Sequence, residues 1–326
     1  MSLSEFDIIA RYFSQATAER DDVVLGIGDD AAVIEPSAGQ QLVVAIDTLV
    51  AGVHFPLDTE PYDIGWKALA VNLSDLAAMG AEPAWLTLAL TLEHNDEEWL
   101  GAFSQGLADL AGQYGVQLVG GDTTRGPLTV TVQVAGYLPA GQALTRKGAR
   151  PGDEIWVSGT LGDAALGLRI VQGQLKADDA AKATLHRRLD RPRPRLALGM
   201  ALRGMAGSCI DISDGLLADL GHLCTAGDCG AGLRYADLPL SSAARQLIAT
   251  DPGLGELPLI GGDDYELCFT APASRHADIR SLATQLDYPL TCIGQIETER
   301  GIRCQEQDGR MKNVSGHGYR HFNESD

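Results

Sequence analysis

Residues 62–92, YDIGWKALAVNLSDLAAMGAEPAWLTLALTL, place a long helix directly before a strand. The pattern predicts a helix over Tyr62–Met79 with Gly80 as its C-cap, because glycine readily adopts the left-handed conformation that ends many helices. An apolar run over Ala84–Leu92 predicts a strand. A helix followed closely by an apolar strand is typical of proteins that mix α and β structure in layers.

The same alternation extends outward from this stretch. On its N-terminal side, QLVVAI at Gln41–Ile46 predicts another strand. On its C-terminal side, a helix is predicted over Asp96–Tyr114, and strands are predicted over 116–119 and 128–137. The first half of the chain is therefore expected to be rich in strands.

A turn of Gly and Pro residues at 148–152 then interrupts the pattern. A new strand is predicted at Glu154–Ser158, and alternation resumes beyond it. Because 326 residues exceed one ordinary domain, we expect an α/β (α+β) protein with domains at 1–148 and 149–326. The second half is predicted to hold helices near 163–172, 180–188, 215–226 and 274–286 and strands near 208–212, 265–270 and 290–296.

Composition excludes several classes of protein. The net charge of −19 disfavours nucleic-acid binding, which requires clustered Lys and Arg. The longest apolar run is far shorter than the roughly 20 residues of a membrane span. The N-terminal MSLSEFDIIARYF carries acids where a secretory signal carries basic residues, and the six cysteines form no CxxC pair. We therefore expect a cytoplasmic protein with reduced thiols and without membrane or nucleic-acid partners.

Four loops share one construction, an apolar segment followed by Gly and Asp. They lie at Leu25–Asp30, Leu118–Asp122, Leu161–Asp163 and Leu259–Asp264. Glycine lets the backbone approach a ligand closely, and the acid beside it can project into the same space. Mg²⁺ is usually held by one or two carboxylates together with substrate phosphates. Each Gly-Asp taken singly is also a common turn, but the recurrence indicates a phosphate site with several metal ions.

Other acids have similar settings. Asp47 and Asp211 directly follow apolar runs, and Asp75 interrupts an otherwise apolar helix. A buried carboxylate is costly unless it is paired or bound to metal, which favours a function for Asp75 over an exposed face. Ser213-Asp214 precedes a predicted helix, where it is either an N-cap or part of a phosphate-binding N-terminus.

Two basic candidates have alternative interpretations. Arg146, in Thr145-Arg146-Lys147, lies either in a solvated turn or beside a bound phosphate. His54 follows a strand and a loop, and a single His is commonly structural or exposed. The absence of GxxxxGK[ST], HRD, DFG, HExxH and GxSxG disfavours P-loop enzymes, protein kinases, zinc proteases and serine hydrolases.

A series of motifs in order along nearly the whole chain resembles the thiamine-monophosphate kinase family. They are GIGDDAAV at 26–33, DTLVAGVHF at 47–55, WKALAVNLSDLAAMGAEP at 66–83, LVGGDTTRG at 118–126, LTRKGARPGD at 144–153, VSGTLGD at 157–163, DISDGL at 211–216, GGDDYELCF at 261–269 and GYRHF at 318–322. Aminoimidazole ribonucleotide synthetase, selenophosphate synthetase and a hydrogenase maturation protein belong to the wider superfamily and share the acidic loops.

The resemblance implies a kinase that uses ATP to phosphorylate thiamine monophosphate, a step of thiamine diphosphate biosynthesis. It implies a homodimer in which the N-terminal domain binds ATP and Mg²⁺ and contributes strands to a dimer barrel, beside a C-terminal α/β domain. The implied ligands of several Mg²⁺ ions are Asp30, Asp47, Asp75, Asp122, Asp211 and Asp214. The implied ATP contacts are Gly121, Asp122, Arg146 and Ser213, and the implied thiamine monophosphate contacts are His54, Asp263 and Tyr319. The implied catalytic group is Asp122, Asp211, Asp214 and Arg146.

The sequence departs from the family pattern at three positions. Ala45 and Ile46 stand where the family usually has hydroxyl residues that help bind metal, and Asp263 stands where it generally has Glu. Neither an alanine methyl nor an isoleucine side chain can coordinate Mg²⁺, so backbone carbonyls or water would have to replace the hydroxyls. These changes concern details of the site more than the reaction.

We expect direct in-line transfer, because the phosphate of the acceptor is already an anion and needs no protein nucleophile. Three alternatives stay open from the residues. They are an enzyme of the same superfamily with another acceptor, such as an aminoimidazole ribonucleotide or selenophosphate synthetase, a metal-dependent phosphate-ester hydrolase, and a non-catalytic protein with metal-stabilised turns.

Overall fold

The computed structural model describes residues 4–305 and 310–314. The chain divides into two compact units. The first comprises Met1–Leu76 and Ala81–Ala143, and the second comprises Ala77–Gly80 and Leu144–Asp326. Both units mix helices with sheets, which confirms the predicted fold class. The dimer barrel and the ligands assigned to each half stay predictions.

The first unit is built around a four-stranded sheet. Its helices are α1 (Glu5–Ile8), continued by a π-helical turn over Ile9–Phe13, α2 (Pro61–Ala78) and α3 (Glu97–Tyr114); its strands are β1 (Val23–Leu25), β2 (Val33–Ile34), β3 (Gln40–Val50), β4 (Glu82–Leu92), β5 (Gln117–Arg125) and β6 (Thr129–Pro139). The sheet has the order β3-β6-β4-β5, and β1 pairs with β2 separately. β4 and β5 are parallel, whereas β6 is antiparallel to both β3 and β4.

The predicted helix and strand of the opening stretch are present as α2 and β4, with ends shifted by one or two residues. α3 begins after Asp96, whose carboxylate accepts hydrogen bonds from the N–H groups of Glu98 and Trp99. This cap satisfies two of the donors that every helix leaves unpaired at its start. Gly115 ends α3 in the left-handed conformation, as glycine commonly does.

The second unit contains a seven-stranded sheet. Its helices are α4 (Asp163–Val171), α5 (Asp179–Asp190), α6 (Leu196–Ala201), α7 (Leu216–Gly227), α8 (Ser242–Thr250), α9 (Leu257–Ile260) and α10 (His276–Leu286); its strands are β7 (Glu154–Ser158), β8 (Ser208–Asp211), β9 (Gly230–Arg234), β10 (Leu267–Ala271), β11 (Leu290–Glu297), β12 (Gly301–Gln305) and β13 (Met311–Val314). The strand order is β13-β12-β9-β11-β7-β10-β8. Within the described ranges, no helix combines the length and the apolar character that a membrane crossing requires.

A buried ion cluster lies at the start of β10. Glu266 is 1% exposed, and its carboxylate accepts hydrogen bonds from Arg195, Arg188 and the Ser158 hydroxyl. Burial raises the pKa of Glu266, but the two guanidinium groups and the hydroxyl outweigh burial and hold it below its ordinary value. Two arginines of the basic stretch at 187–195 therefore neutralise a buried acid.

Gly121 brings two strands of the first unit close together. It pairs with Leu88 across the parallel β4–β5 ladder. A Cβ atom at position 121 would lie 2.0 Å from the carbonyl oxygen of Leu88, far inside contact distance. Only glycine fits this approach without a shift of the sheet.

Replacing Glu266 with Gln is expected to destabilise the protein by about 3–5 kcal/mol, because it removes the charge that pairs with the buried Arg195 and leaves the partly buried Arg188 with Asp163, 3.6 Å away. Urea unfolding measures the change. Asp278→Asn is the matched control, since Asp278 and Arg275 form an ion pair at 2.9 Å with both side chains about half exposed. It should cost less than about 1 kcal/mol. Equal losses from the two variants would contradict the importance of the buried cluster.

Gly121→Ala is expected to destabilise the protein by about 1–3 kcal/mol, because the added methyl group collides with a backbone that cannot easily move. Gly112→Ala is the control, since a Cβ atom at this exposed position of α3 meets no heavy atom within 4 Å. Alanine there should be neutral or stabilising by up to about 1 kcal/mol. Thermal unfolding of both variants tests the contrast, and a stable Gly121→Ala protein would refute it.

Candidate functional site

Two of the four Gly-Asp loops line one cavity of the first unit. The cavity has a volume of about 750 Å³, and its wall includes Gly28 and Asp30 from the first loop and Gly121 and Asp122 from the second. The first loop connects β1 to β2, and the second lies on β5. Asp30 and Asp122 are both exposed to solvent. The structure thus brings together two acids that the sequence separates by more than 90 residues.

Asp47 lies on β3, close to Ala45 and Ile46 in the sequence. Burial raises the pKa of Asp47, and nearby His54 partly offsets this rise. His54 accepts a hydrogen bond at Nδ1 from the N–H of Val50, at 2.9 Å. Because side chains alternate along a strand, Ala45 shares the face of Asp47, whereas Ile46 lies on the opposite face. Of the two residues that replace the family hydroxyls, only Ala45 is therefore on the same side of the strand as Asp47.

Asp75 lies near the end of α2, in the midst of buried neighbours. Leu73, Ser74, Leu76 and Ala77 are all buried, whereas Asp75 itself is half-buried. The carboxylate therefore retains access to solvent, which lowers the cost of its charge. The expected burial is present only in part.

The predicted site residues of the second unit lie on neighbouring segments. Asp211 is the last residue of β8 and is buried, and Ser213 and Asp214 follow it. The N–H of Asp263 donates to the carbonyl oxygen of Ser213 at 2.9 Å. A Cβ atom at Gly262 would lie only 2.5 Å from the same carbonyl oxygen, so this contact requires glycine. The structure therefore places Asp263 directly beside the Ser213-Asp214 segment.

Asp219 is a member of this acidic group that the sequence interpretation missed. Its carboxylate Oδ2 accepts hydrogen bonds from the N–H groups of Ser213 and Asp214. Burial, followed by the charges of Asp211 and Asp214, raises the pKa of Asp219 to about 7. An acid among the apolar residues of α7 is the same signal that singled out Asp75.

The other two Gly-Asp loops meet each other in the second unit. Asp264 Oδ2 accepts a hydrogen bond from the N–H of Gly162 at 2.8 Å. Burial raises the pKa of Asp264 well above its ordinary value, more than the Gly162 N–H and Arg188 lower it. Asp163 is also buried and accepts hydrogen bonds from Thr160 and Ser241. These contacts give both acids a structural role in fixing the loops.

Of the remaining two predicted residues, Arg146 lies within the described residues and Tyr319 lies outside them. Arg146 is an exposed residue of the second unit, and the carbonyl oxygen of the preceding Thr145 accepts a hydrogen bond from Cys209 at 3.0 Å. Arg146 therefore follows a residue that is anchored to β8. Tyr319 lies outside the described residues, so its assignment stays a prediction.

The acidic residues fit magnesium by the chemistry of their donors. Burial, followed by the charges of Asp211 and Asp214, raises the pKa of Asp219, so this group of acids carries negative charge that a cation could neutralise. Over residues 4–305 and 310–314, however, no three His, Cys, Asp or Glu side chains converge closely enough to hold a metal ion alone. Mg²⁺ commonly takes only one or two carboxylates and completes its octahedron with water and substrate phosphates. The residues present suit such a shared site.

Comparisons with known proteins match both halves of the chain. Residues 28–138 match the family model described as AIR synthase related protein, N-terminal domain, and residues 150–306 match its C-terminal domain. The thiamine-monophosphate kinase of Escherichia coli (strain K12) is 50% identical over 323 residues, which cover 99% of each chain. That of Haemophilus influenzae is 43% identical over 329 residues, with full coverage of both.

Solved structures agree with these relatives. The thiamine-monophosphate kinase of Stenotrophomonas maltophilia K279a has a TM-score of 0.87 and 51% identity, covering 95% of this chain and 98% of its own. A structure of AaThiL complexed with AMPPCP and TMP has a TM-score of 0.78 and 32% identity, covering 91% and 92% of the two chains. From these matches over essentially its full length, the chain belongs to the thiamine-monophosphate kinase family.

Proposed function

We propose that this chain transfers the γ-phosphoryl group of ATP to thiamine monophosphate, forming thiamine diphosphate and ADP. The observation that carries the proposal is the cavity at which the loop of Asp30 meets the loop of Gly121 and Asp122. Glycine backbone and paired carboxylates suit a nucleotide that binds with its metal. Full-length relatives named thiamine-monophosphate kinase, and a related structure complexed with AMPPCP and TMP, support the choice of substrates.

The proposed site residues fall into contacts with ATP, contacts with thiamine monophosphate and ligands of Mg²⁺. ATP contacts are assigned to Gly121, Asp122, Arg146 and Ser213, and thiamine monophosphate contacts to His54, Asp263 and Tyr319. The proposed Mg²⁺ ligands are Asp30, Asp47, Asp75, Asp122, Asp211 and Asp214. The proposed catalytic residues are Asp122, Asp211, Asp214 and Arg146.

The mechanism we propose is direct in-line transfer without a covalent enzyme intermediate. The acceptor phosphate is an anion at neutral pH, so it attacks without a strong general base. The residues of the chain orient the two substrates, and Arg146 offers a guanidinium group to phosphate oxygens. Bound Mg²⁺ would neutralise the negative charge of the two phosphate groups as they approach. The carboxylates proposed above as ligands would hold these ions.

We also propose a cytoplasmic location. All six cysteines lie within the described residues, and all are free thiols. Five of the six are buried, and Cys292 is partly buried. Free thiols without disulfide partners are typical of proteins kept in a reducing compartment.

A homodimer formed through β3 is part of the proposal. β3 lies at an edge of the four-stranded sheet. Leu42, Val44 and Ile46 are each 50–60% exposed and alternate along one face of this strand. A row of exposed apolar side chains on an edge strand is a favourable surface for a second copy. Such pairing would extend the sheet toward the expected dimer barrel.

Asp122→Ala is expected to reduce turnover of ATP and thiamine monophosphate by about 100-fold or more, because it removes a carboxylate from the nucleotide cavity. A coupled assay of ADP release, with thiamine diphosphate quantified by chromatography, measures the loss. Wild-type product should require Mg²⁺ and should disappear with EDTA. Circular dichroism should show an intact fold.

Asp179→Ala is the control, since Asp179 is an exposed acid in the first turn of α5. Its turnover should equal that of the wild type.

A labelling experiment tests direct transfer. When the wild-type protein is given γ-labelled ATP, the label should appear in thiamine diphosphate and not in the protein. Phosphate release without any acceptor would instead favour a hydrolase, and a labelled protein on the reaction path would refute direct transfer.

Val44→Lys is expected to raise the dissociation constant of the dimer by about 100-fold or more, because it would bury a charge in an apolar interface. Sedimentation velocity over a range of concentrations measures the shift to monomer. Met311→Lys is the control, because Met311 is 54% exposed on β13 in the second unit. A monomeric wild type, or a dimer that tolerates Val44→Lys, would contradict an interface at β3.

A further inference from the structure

The loop at 261–265, Gly-Gly-Asp-Asp-Tyr, has an unusual backbone. Asp263 has φ of 69° and Tyr265 has φ of 48°, both in the left-handed region. Aspartate tolerates this region moderately well, but a bulky aromatic residue is rarely found there. Two such residues within three positions indicate local strain that the surroundings must maintain. An aromatic residue held in this way calls for a physical reason.

Three hydrogen bonds hold the 261–265 loop in this conformation. The N–H of Asp263 donates to Ser213 at 2.9 Å, and the N–H of Tyr265 donates to Ile212 at 2.8 Å. The carboxylate of Asp264 accepts from the N–H of Gly162 at 2.8 Å. The loop is thus fixed along the segment that follows β8, and it is fixed at both left-handed residues.

In this backbone conformation, the side chain of Tyr265 contacts the side chain of Asp263. The Tyr265 hydroxyl donates to Asp263 Oδ1 at 3.1 Å. Tyr265 is only 9% exposed, so packing holds the ring in place. A hydrogen bond from a fixed donor to a carboxylate is among the stronger neutral-to-charged contacts, and it restricts rotation of the carboxylate.

We infer that Tyr265 is a positioning residue, which orients the carboxylate of Asp263 toward the group of the substrate that it contacts. The inference rests on the proposed function, in which Asp263 binds thiamine monophosphate. With Oδ1 held by the tyrosine, the carboxylate has fewer orientations available. A fixed carboxylate of this kind suits a hydrogen-bond donor or a cation, and the thiamine moiety offers both in its amino group and its thiazolium ring. The conformational entropy lost on binding is smaller when the partner is already oriented.

Tyr265→Phe tests this role, because it removes the hydroxyl and keeps the ring. We expect the KM for thiamine monophosphate to rise about 5- to 10-fold, the size of effect that one hydrogen bond supplies. The kcat and the KM for ATP should change by less than about twofold. A purely structural role of Tyr265 would instead lower the fraction of active protein and leave the KM for thiamine monophosphate unchanged.

Tyr62→Phe is the matched control, because the Tyr62 hydroxyl also donates to an aspartate, Asp109 Oδ2, at 2.7 Å, but on the helices of the first unit. It should leave the KM for thiamine monophosphate unchanged. Melting temperatures of both variants establish that they are folded. An equal rise in KM in the two variants would overturn the inference.

A double-mutant cycle tests whether Tyr265 acts through Asp263. Asp263→Ala alone should raise the KM for thiamine monophosphate, and adding Tyr265→Phe to it should raise the KM no further. If the two substitutions raised the KM by independent factors that multiply in the double variant, the positioning role would be overturned. An unchanged KM in Tyr265→Phe, measured beside an active wild type, would also overturn it. A wild type that forms no thiamine diphosphate would overturn both the proposed function and this inference.

Discussion

The carboxylate of Glu266 imposes the constraint on which the second unit depends. A charge that is 1% exposed survives only because Arg188 and Arg195 neutralise it and Ser158 completes its hydrogen bonds. These partners come from α5, from the start of α6 and from β7. One side chain therefore ties two helical segments and a neighbouring strand to the start of β10. Because Glu266 directly follows Tyr265, the same contacts fix one end of the 261–265 loop.

Glycines also allow close backbone contacts beside the candidate acids of each unit. Gly262 lies against Ser213, and Gly121 lies against Leu88, each at a distance that no side chain would allow. In the second unit, Gly262 thus brings the loop of Asp263 next to the Ser213-Asp214 segment. Burial, together with the charges of Asp211 and Asp214, raises the pKa of Asp219. A site of this kind is preorganised to receive positive charge, because the protein has already met the cost of bringing the acids together.

The sequence predicted the elements whose periodicity is strong, such as α2, α3 and β4. It did not predict β9, β12 and β13, which are short strands, or α8, a short helix that lies between loops. The shared Gly-Asp construction predicted that the acidic loops converge. The loops of Asp30 and Asp122 line one cavity, and the loops of Gly162 and Asp264 contact each other in the second unit. The binding roles of these residues stay predictions. The pairing of Arg188 and Arg195 with Glu266 was not predicted, because Glu266 lies more than 70 residues away from both in the sequence. Pairing of distant charges depends on tertiary packing, which no local pattern encodes.

The second unit includes four residues, 77–80, that are separated from the rest of it by 63 residues of the first. Their contacts there are specific, since the carbonyl oxygen of Met79 accepts a hydrogen bond from Leu144, and that of Ala77 lies where a Cβ atom on Gly199 would be. During synthesis on the ribosome these four residues emerge well before their partners. The second unit therefore cannot be completed independently of the first half of the chain. A fragment beginning at residue 144 would lack part of its own packing.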